Sequence, residues 1–319
     1  MHLTSLTLLL KTTTMLPKID FEVLLDDSFE RLCPSAKDVQ STNENLLSLI
    51  NDYEEGEWRY AKFSRFVWDN IAEAALSFDE RQKLATKALT QLEESAKNLR
   101  LSEDKGKGGE LAEILLYGIM KYHYKAISVV PKIYYKQNTQ DYVKGADSVH
   151  IVLNGDKTFS LWLGEAKFYK DIASAMSEAI ISIKNALQKD KLEKESSIIT
   201  GIQGLDKVIE DSAIVECIRM LLSPDTSIDR LKPLLHIPIL LLYQCEITRN
   251  ETLLTEEYKE KIKDAHKIQA TSYFDKHVKE LETTIHLYSQ ITFHLILFPV
   301  PDSKRIKDEF IDKAESYRK

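Results

Sequence analysis

The sequence predicts a mixed α/β fold, a sheet core wrapped by added helices, on three observations. Three short runs rich in β-branched and aromatic residues, "AISVVPKIYYK", "GADSVHIVLNG" and "FSLWLGEAKFY", are separated by polar or Gly-containing turns and predict strands. An amphipathic helix, "ELAEILLYGIMKYHYK", precedes them, and another at about 172–189 follows, with Met176, Ile180, Ile183 and Leu187 at the spacing that lets a helix lie on a sheet. Two later runs, "HIPILLLYQCE" and "QITFHLILFPVP", predict further strands, the first so uniformly apolar that both its faces should be covered.

The other elements follow in chain order. Residues 1–99 read as an acidic, mostly helical region, with apolar spacing at Phe63, Phe66, Val67 and Ile71 and again at Leu84, Ala88, Leu92 and Leu99. "SEDKGKGG" then breaks the chain, so that a second unit is expected over 100–319. A helix is expected at 205–222, a highly charged one within 251–284, and a short polar one after Pro301. No internal repeat or low-complexity tract interrupts this order.

Composition narrows the function classes. The chain has 319 residues, 43% of them hydrophobic, and no apolar run approaches the roughly 18 residues of a membrane span. Its opening "MHLTSLTLLLKTTTM" lacks the basic start and the small-residue cleavage site of a secretory signal, and Met15 is a second candidate start. Cys33, Cys217 and Cys245 are odd in number and far apart, which argues against a disulfide framework and for a reducing, cytoplasmic setting. The formal charge of −7 disfavours a generic nucleic-acid coat protein. The charge is uneven, however: residues 1–99 carry 11 basic and 17 acidic side chains, residues 100–190 carry 13 and 11, and residues 191–319 carry 19 and 22. Only the middle third is net basic.

That middle third holds the chemistry. In "LWLGEAKFY" an apolar run ends in Glu165 and Lys167, which share one face of a strand while Ala166 takes the other. A lone E-x-K is most often a surface ion pair worth at most about 1 kcal/mol. A third charge alters that reading, because Asp147 opens the preceding strand and "NGD" at 154–156 supplies a hairpin turn. A connection of three residues sets Asp147 opposite Leu163, one of five sets it opposite Glu165, and an even length would split the two acids between faces. The helix beginning at Glu110 is expected to cover this face. Its stripe of Leu111, Ile114, Leu115, Gly118, Ile119 and Tyr122 puts Glu110 on the flank and Glu113 nearly opposite. Three converging carboxylates repel unless a cation joins them, and hard oxygen ligands select Mg²⁺ or Mn²⁺. Lys167 can then orient a water and offset charge developing on a phosphoryl group. The loop lysines Lys105 and Lys107, among glycines that permit close backbone approach, are candidate phosphate contacts. His150 falls on the other strand face, where a packed or surface role is expected and not a catalytic one. No Walker loop, G-x-S-x-G elbow or H-E-x-x-H is present.

The order Glu110, Asp147, Glu165-Ala166-Lys167 on helix, strand and strand resembles the PD-(D/E)XK nuclease superfamily. More narrowly, "GGELAEILLYGIM", "VKGADSVHI" and "LWLGEAKFYKDI" resemble the HamA effectors of bacterial Hachiman antiphage systems, at motif grade over about 106–190. Ala146 stands where the superfamily's motif begins with Pro, which leaves the acid in place. The resemblance implies a restriction-endonuclease-like mixed-sheet core and a Mg²⁺-dependent endodeoxyribonuclease restrained by a superfamily 2 helicase partner. It also implies Asp147 and Glu165 as metal ligands, Lys167 as the catalytic cation and Glu110 as the helix acid. Two other functions fit the same motifs: a catalytically silent scaffold regulating a helicase, and an RNA-processing nuclease. The acidic residues 1–99 are expected to form a docking surface for the partner.

Overall fold

The computed structural model describes residues 18–29, 43–101, 109–137, 145–154, 158–201 and 205–319. The chain opens with strands β1 (Glu22–Ser28) and β2 (Glu44–Ile50) and a minor hairpin of β3 (Tyr53–Glu54) and β4 (Glu57–Trp58). Helices α1 (Tyr60–Asp69), α2 (Ile71–Ala75), α3 (Phe78–Lys83) and α4 (Ala88–Lys97) come next. The middle of the chain comprises α5 (Gly109–Tyr122), β5 (Ile127–Val130), α6 (Lys132–Gln137), β6 (Ser148–Leu153), β7 (Phe159–Tyr169) and α7 (Ile172–Ala186). After α8 (Lys189–Gly201), α9 (Leu205–Val208) and α10 (Ser212–Leu221) come β8 (Leu235–Gln244), α11 (Glu246–Asn250), α12 (Glu256–Leu281), β9 (Thr292–Val300) and α13 (Ser303–Tyr317).

Seven strands form one mixed sheet in the order β1-β2-β9-β8-β7-β6-β5. The inner four, β2, β9, β8 and β7, run parallel, while β1 on one side and β6 and β5 on the other run antiparallel to their neighbours. Parallel strands need both faces covered, and each face has its own core. On one, Leu163, Ile239, Leu241 and Leu295 pack with Ala179 and Ile183 of α7 and with Phe274 of α12. On the other, Trp162, Ala166, Leu240 and Ile296 pack with α5, α1 and α13. The order α5, β5, β6, β7, α7, β8 is the helix, three strands, helix, strand arrangement the sequence predicts for the α/β core.

Three elements differ from the sequence reading, one being the helix expected at 205–222, which the structure divides into α9 and α10. "AISVVPKIYYK" is half strand and half helix, because Pro131 cannot donate to a ladder and suits a helix start, so β5 ends at Val130 and α6 begins at Lys132. The amino-terminal region is not only helical. "EVLLDDS" and "ENLLSLI" are strands of the main sheet, the second pairing in parallel with β9 from Glu44↔Phe293 to Ser48↔Leu297. Leucine-rich β2 has little intrinsic strand preference, and its place beside β9, more than two hundred residues away, decides its state.

A break at residue 99 therefore does not detach an independent unit. Leu47 and Leu49 share one core with Phe63, Phe66, Ile114 and Phe298. Deleting residues 1–99 is expected to abolish the cooperative thermal transition, since it strips one edge of the buried strand β9 and uncovers α5. A truncated chain that still melts cooperatively by circular dichroism would contradict this packing.

Candidate active site

The register of β6 and β7 brings the predicted acids together. Ser148 pairs with Gly164 and Leu153 with Phe159, so the connection spans the five residues 154–158, the length that sets Asp147 opposite Glu165. The Asp147 N–H donates to the Gly164 carbonyl (2.8 Å), and its side-chain Oδ2 accepts from the Ala166 N–H (3.1 Å). Both ends of Asp147 are thus tied to β7. Lys167, two residues beyond Glu165, turns its Nζ onto Glu165 Oε1. From α7, on the same face, the Ser182 hydroxyl acts to favour the charged form of the Glu165 carboxyl.

Exposure differs from expectation. Charges that close an apolar run point to the solvent end of the strand, yet Glu165 is only 6% exposed, because α7 lies over it. Asp147 is half-buried, and Lys167 retains 19% of its side-chain exposure. The group therefore opens to solvent past Asp147 and Lys167.

Burial sets its charge state. Desolvation, followed by the nearby charge of Asp147, pushes the Glu165 carboxyl up to about 8, although Lys167 and Ser182 pull the other way. Burial works to lower the Lys167 ammonium as well, but Glu165 and Asp147 outweigh it and leave its pKa raised. At neutral pH Glu165 therefore holds its proton, while Lys167 stays an ammonium. A proton occupies the role a divalent cation would take between two carboxylates. Mg²⁺ commonly uses only one or two protein carboxylates together with substrate phosphates, so the pair suits that ion.

The helix acids are placed differently from the sequence reading. Helix α5 lies on the opposite face of the sheet: a Cβ on Gly164 would come within 2.8 Å of Leu116 Cδ2, and the Tyr117 ring sits 4.7 Å from that of His150. The stripe chosen from the sequence faces the helical layer instead, where a Cβ on Gly118 would lie 2.5 Å from Phe66 Cε1 and Tyr122 packs on Phe66 at 5.8 Å. Because α5 is buried all round from Leu111 to Met120, its densest apolar stripe did not reveal which side meets the sheet. Glu110 binds the Arg100 N–H through both carboxylate oxygens at 2.9 Å. Glu113 is buried, and its charge acts on the Tyr117 hydroxyl together with that of Asp147. Among the described residues no set of three or more His, Cys, Asp or Glu side chains is placed to hold a metal, so Glu110 is not brought to Asp147 and Glu165.

This placement reverses the expected ranking of the two helix acids. Glu113→Gln is expected to impair catalysis more than Glu110→Gln, whose amide oxygen can still accept from Arg100. Equal activities in a cleavage assay would mean that neither helix acid acts on the site.

His150 takes the packed role, fully buried against Tyr117, with desolvation taking its pKa down to about 3 so that it is neutral. The loop lysines Lys105 and Lys107 lie outside the described residues.

The family model HamA matches residues 26–314. The chain belongs to the HamA family. Membership makes it a Hachiman defence-related effector. No curated protein matches the chain. The HamA match begins inside β1 and ends inside α13, so the amino-terminal strands are part of the family unit. Among the described residues of this HamA chain, no helix is long and apolar enough to cross a membrane. Sequence reasoning missed Ser182, which sits at the polar edge of an otherwise apolar helix stripe, a position that carries no distinctive spacing.

Proposed function

We propose that this HamA protein is a metal-dependent DNA endonuclease of the PD-(D/E)XK type, acting in antiphage defence with a partner helicase. The observation that carries the reading is the facing pair Asp147 and Glu165 on adjacent strands, with Lys167 on the same face. Asp147 and Glu165 would hold Mg²⁺, or Mn²⁺ in its place, and Glu110 keeps no part in that ligand set. The bound ion would supply Lewis-acid polarisation of a scissile phosphodiester.

This chain's own residues do the remainder. Lys167, kept cationic by the two acids, is placed to orient an attacking water and to offset negative charge developing on the phosphoryl oxygens. The backbone tie from Ala166 to Asp147 fixes one carboxylate, and Lys167 holds the other. The Lys105 and Lys107 loop is the proposed phosphate contact leading into the site. DNA as the substrate, like the helicase partner, is what the motif resemblance suggests, and the site itself does not distinguish it. The acidic amino-terminal surface is the proposed docking face for that partner, and the depth of Glu165 favours a nuclease that is weak alone. A silent scaffold would not need two facing acids beside a lysine, one of them buried at a cost in desolvation.

The test uses purified full-length protein, alone and with the proposed partner helicase, on plasmid, linear DNA and RNA, in Mg²⁺ or EDTA. Mg²⁺-dependent DNA cleavage that is stronger in the complex is expected. Cleavage of RNA only, or none in any combination, would overturn the reading.

A further inference from the structure

A buried ion pair sits behind the site. Lys132, at the start of α6, points its Nζ at both oxygens of Glu195 on α8, 2.7 Å from each, and the two residues are 2% and 3% exposed. Glu195 Oε1 also accepts from the Ala146 N–H at 3.1 Å, one residue before Asp147. The approach is so close that a Cβ on Gly145 would fall 1.7 Å from that oxygen. Lys132 is itself anchored: its N–H donates to the Tyr117 hydroxyl (3.1 Å), which donates to the Val130 carbonyl (2.6 Å).

Fully buried ion pairs are poor stabilisers, and an apolar pair of similar volume often does as well or better. What an apolar pair cannot do is accept from Ala146. Asp147 has to meet a cation beside a second acid, and its place is set by the backbone that leads into it. The backbone leading into Asp147 must be held from behind if the two carboxylates are to stay opposed, and supporting contacts of this sort set metal affinity. We infer that Glu195, held by Lys132, is a positioning residue that fixes the Gly145–Asp147 turn and thereby presents Asp147 to the cation. This inference rests on the metal site proposed above.

Two double variants separate positioning from stability. Both Lys132→Met/Glu195→Gln and Lys132→Met/Glu195→Leu remove the charges, but only the glutamine keeps an acceptor for Ala146. Hydrogen exchange over residues 145–150 and calorimetric titration with Mn²⁺ are read on each full-length protein. The leucine variant is expected to exchange faster and to bind Mn²⁺ more weakly by about tenfold or more, with the glutamine variant staying close to wild type. Unchanged exchange in the leucine variant would overturn the pin, and faster exchange with unchanged Mn²⁺ affinity would overturn its positioning role. Failure of the metal site reads differently: wild type itself would then show no Mn²⁺ binding that Asp147→Asn removes, and the positioning role would fall with it. If the leucine variant does not fold, Gly145→Ala carries the same test, since its added methyl must displace the Glu195 carboxylate. Wild-type exchange and affinity in a folded Gly145→Ala protein would overturn the inference.

Discussion

Lys167→Ala is expected to lower Mg²⁺-dependent cleavage by about 10²–10³-fold, the scale seen when one group that stabilises developing charge is removed. The fold should persist. Lys167 keeps part of its surface in solvent, and without it Glu165 simply holds its proton more tightly. Glu165→Gln is the companion variant. It retains the shape beneath α7 and removes a ligand, so cleavage should fall at least as far. Single-turnover nicking rates measured beside thermal melts check both, and near wild-type nicking by either folded variant would remove these residues from the site.

The second large effect is on stability against pH. A carboxyl whose ordinary value is 4.5 and which burial pushes up to about 8 binds a proton in the folded state that the unfolded chain has released. Between these limits the folded state holds more protons, so stability falls as pH rises. At about 1.4 kcal/mol per pH unit the loss by pH 8 is on the order of several kcal/mol. Burial depresses His150 and His266 to about 3 and His236 to about 4, and these neutral rings contribute in the opposite sense, losing stability as pH falls below their unfolded value. The comparison that isolates Glu165 is therefore wild type against Glu165→Gln. Urea unfolding in EDTA should show wild type weakening from pH 6 to pH 8.5 relative to the variant, and Mg²⁺ should restore wild type alone. Parallel curves for the two proteins would show that Glu165 does not hold a proton.

Much of this was legible in the sequence where the signal was local. Alternation along "FSLWLGEAKFY" placed Glu165 and Lys167 on one face, and the parity of the turn after β6 brought Asp147 to it. What was not legible depended on contacts between distant segments. The partnership of β2 with β9 spans most of the chain and overrides the leucine-rich composition of β2. The rotation of α5 could not be read because a helix buried on two sides has no polar face to mark solvent. The depth of Glu165 likewise comes from α7 lying over it, and the pairing of Lys132 with Glu195 joins residues 63 apart with no motif between them.

The central claim is that Asp147 and Glu165 together receive a divalent cation where the metal-free protein keeps a proton. Calorimetric titration of Mn²⁺ at pH 7, repeated in two buffers of different ionisation enthalpy, measures both quantities at once. One Mn²⁺ should bind per chain with release of about one proton. That proton release should vanish in Glu165→Gln, and the binding should be lost in Asp147→Asn. Absence of binding, or binding that releases no proton and survives both substitutions, would contradict the account.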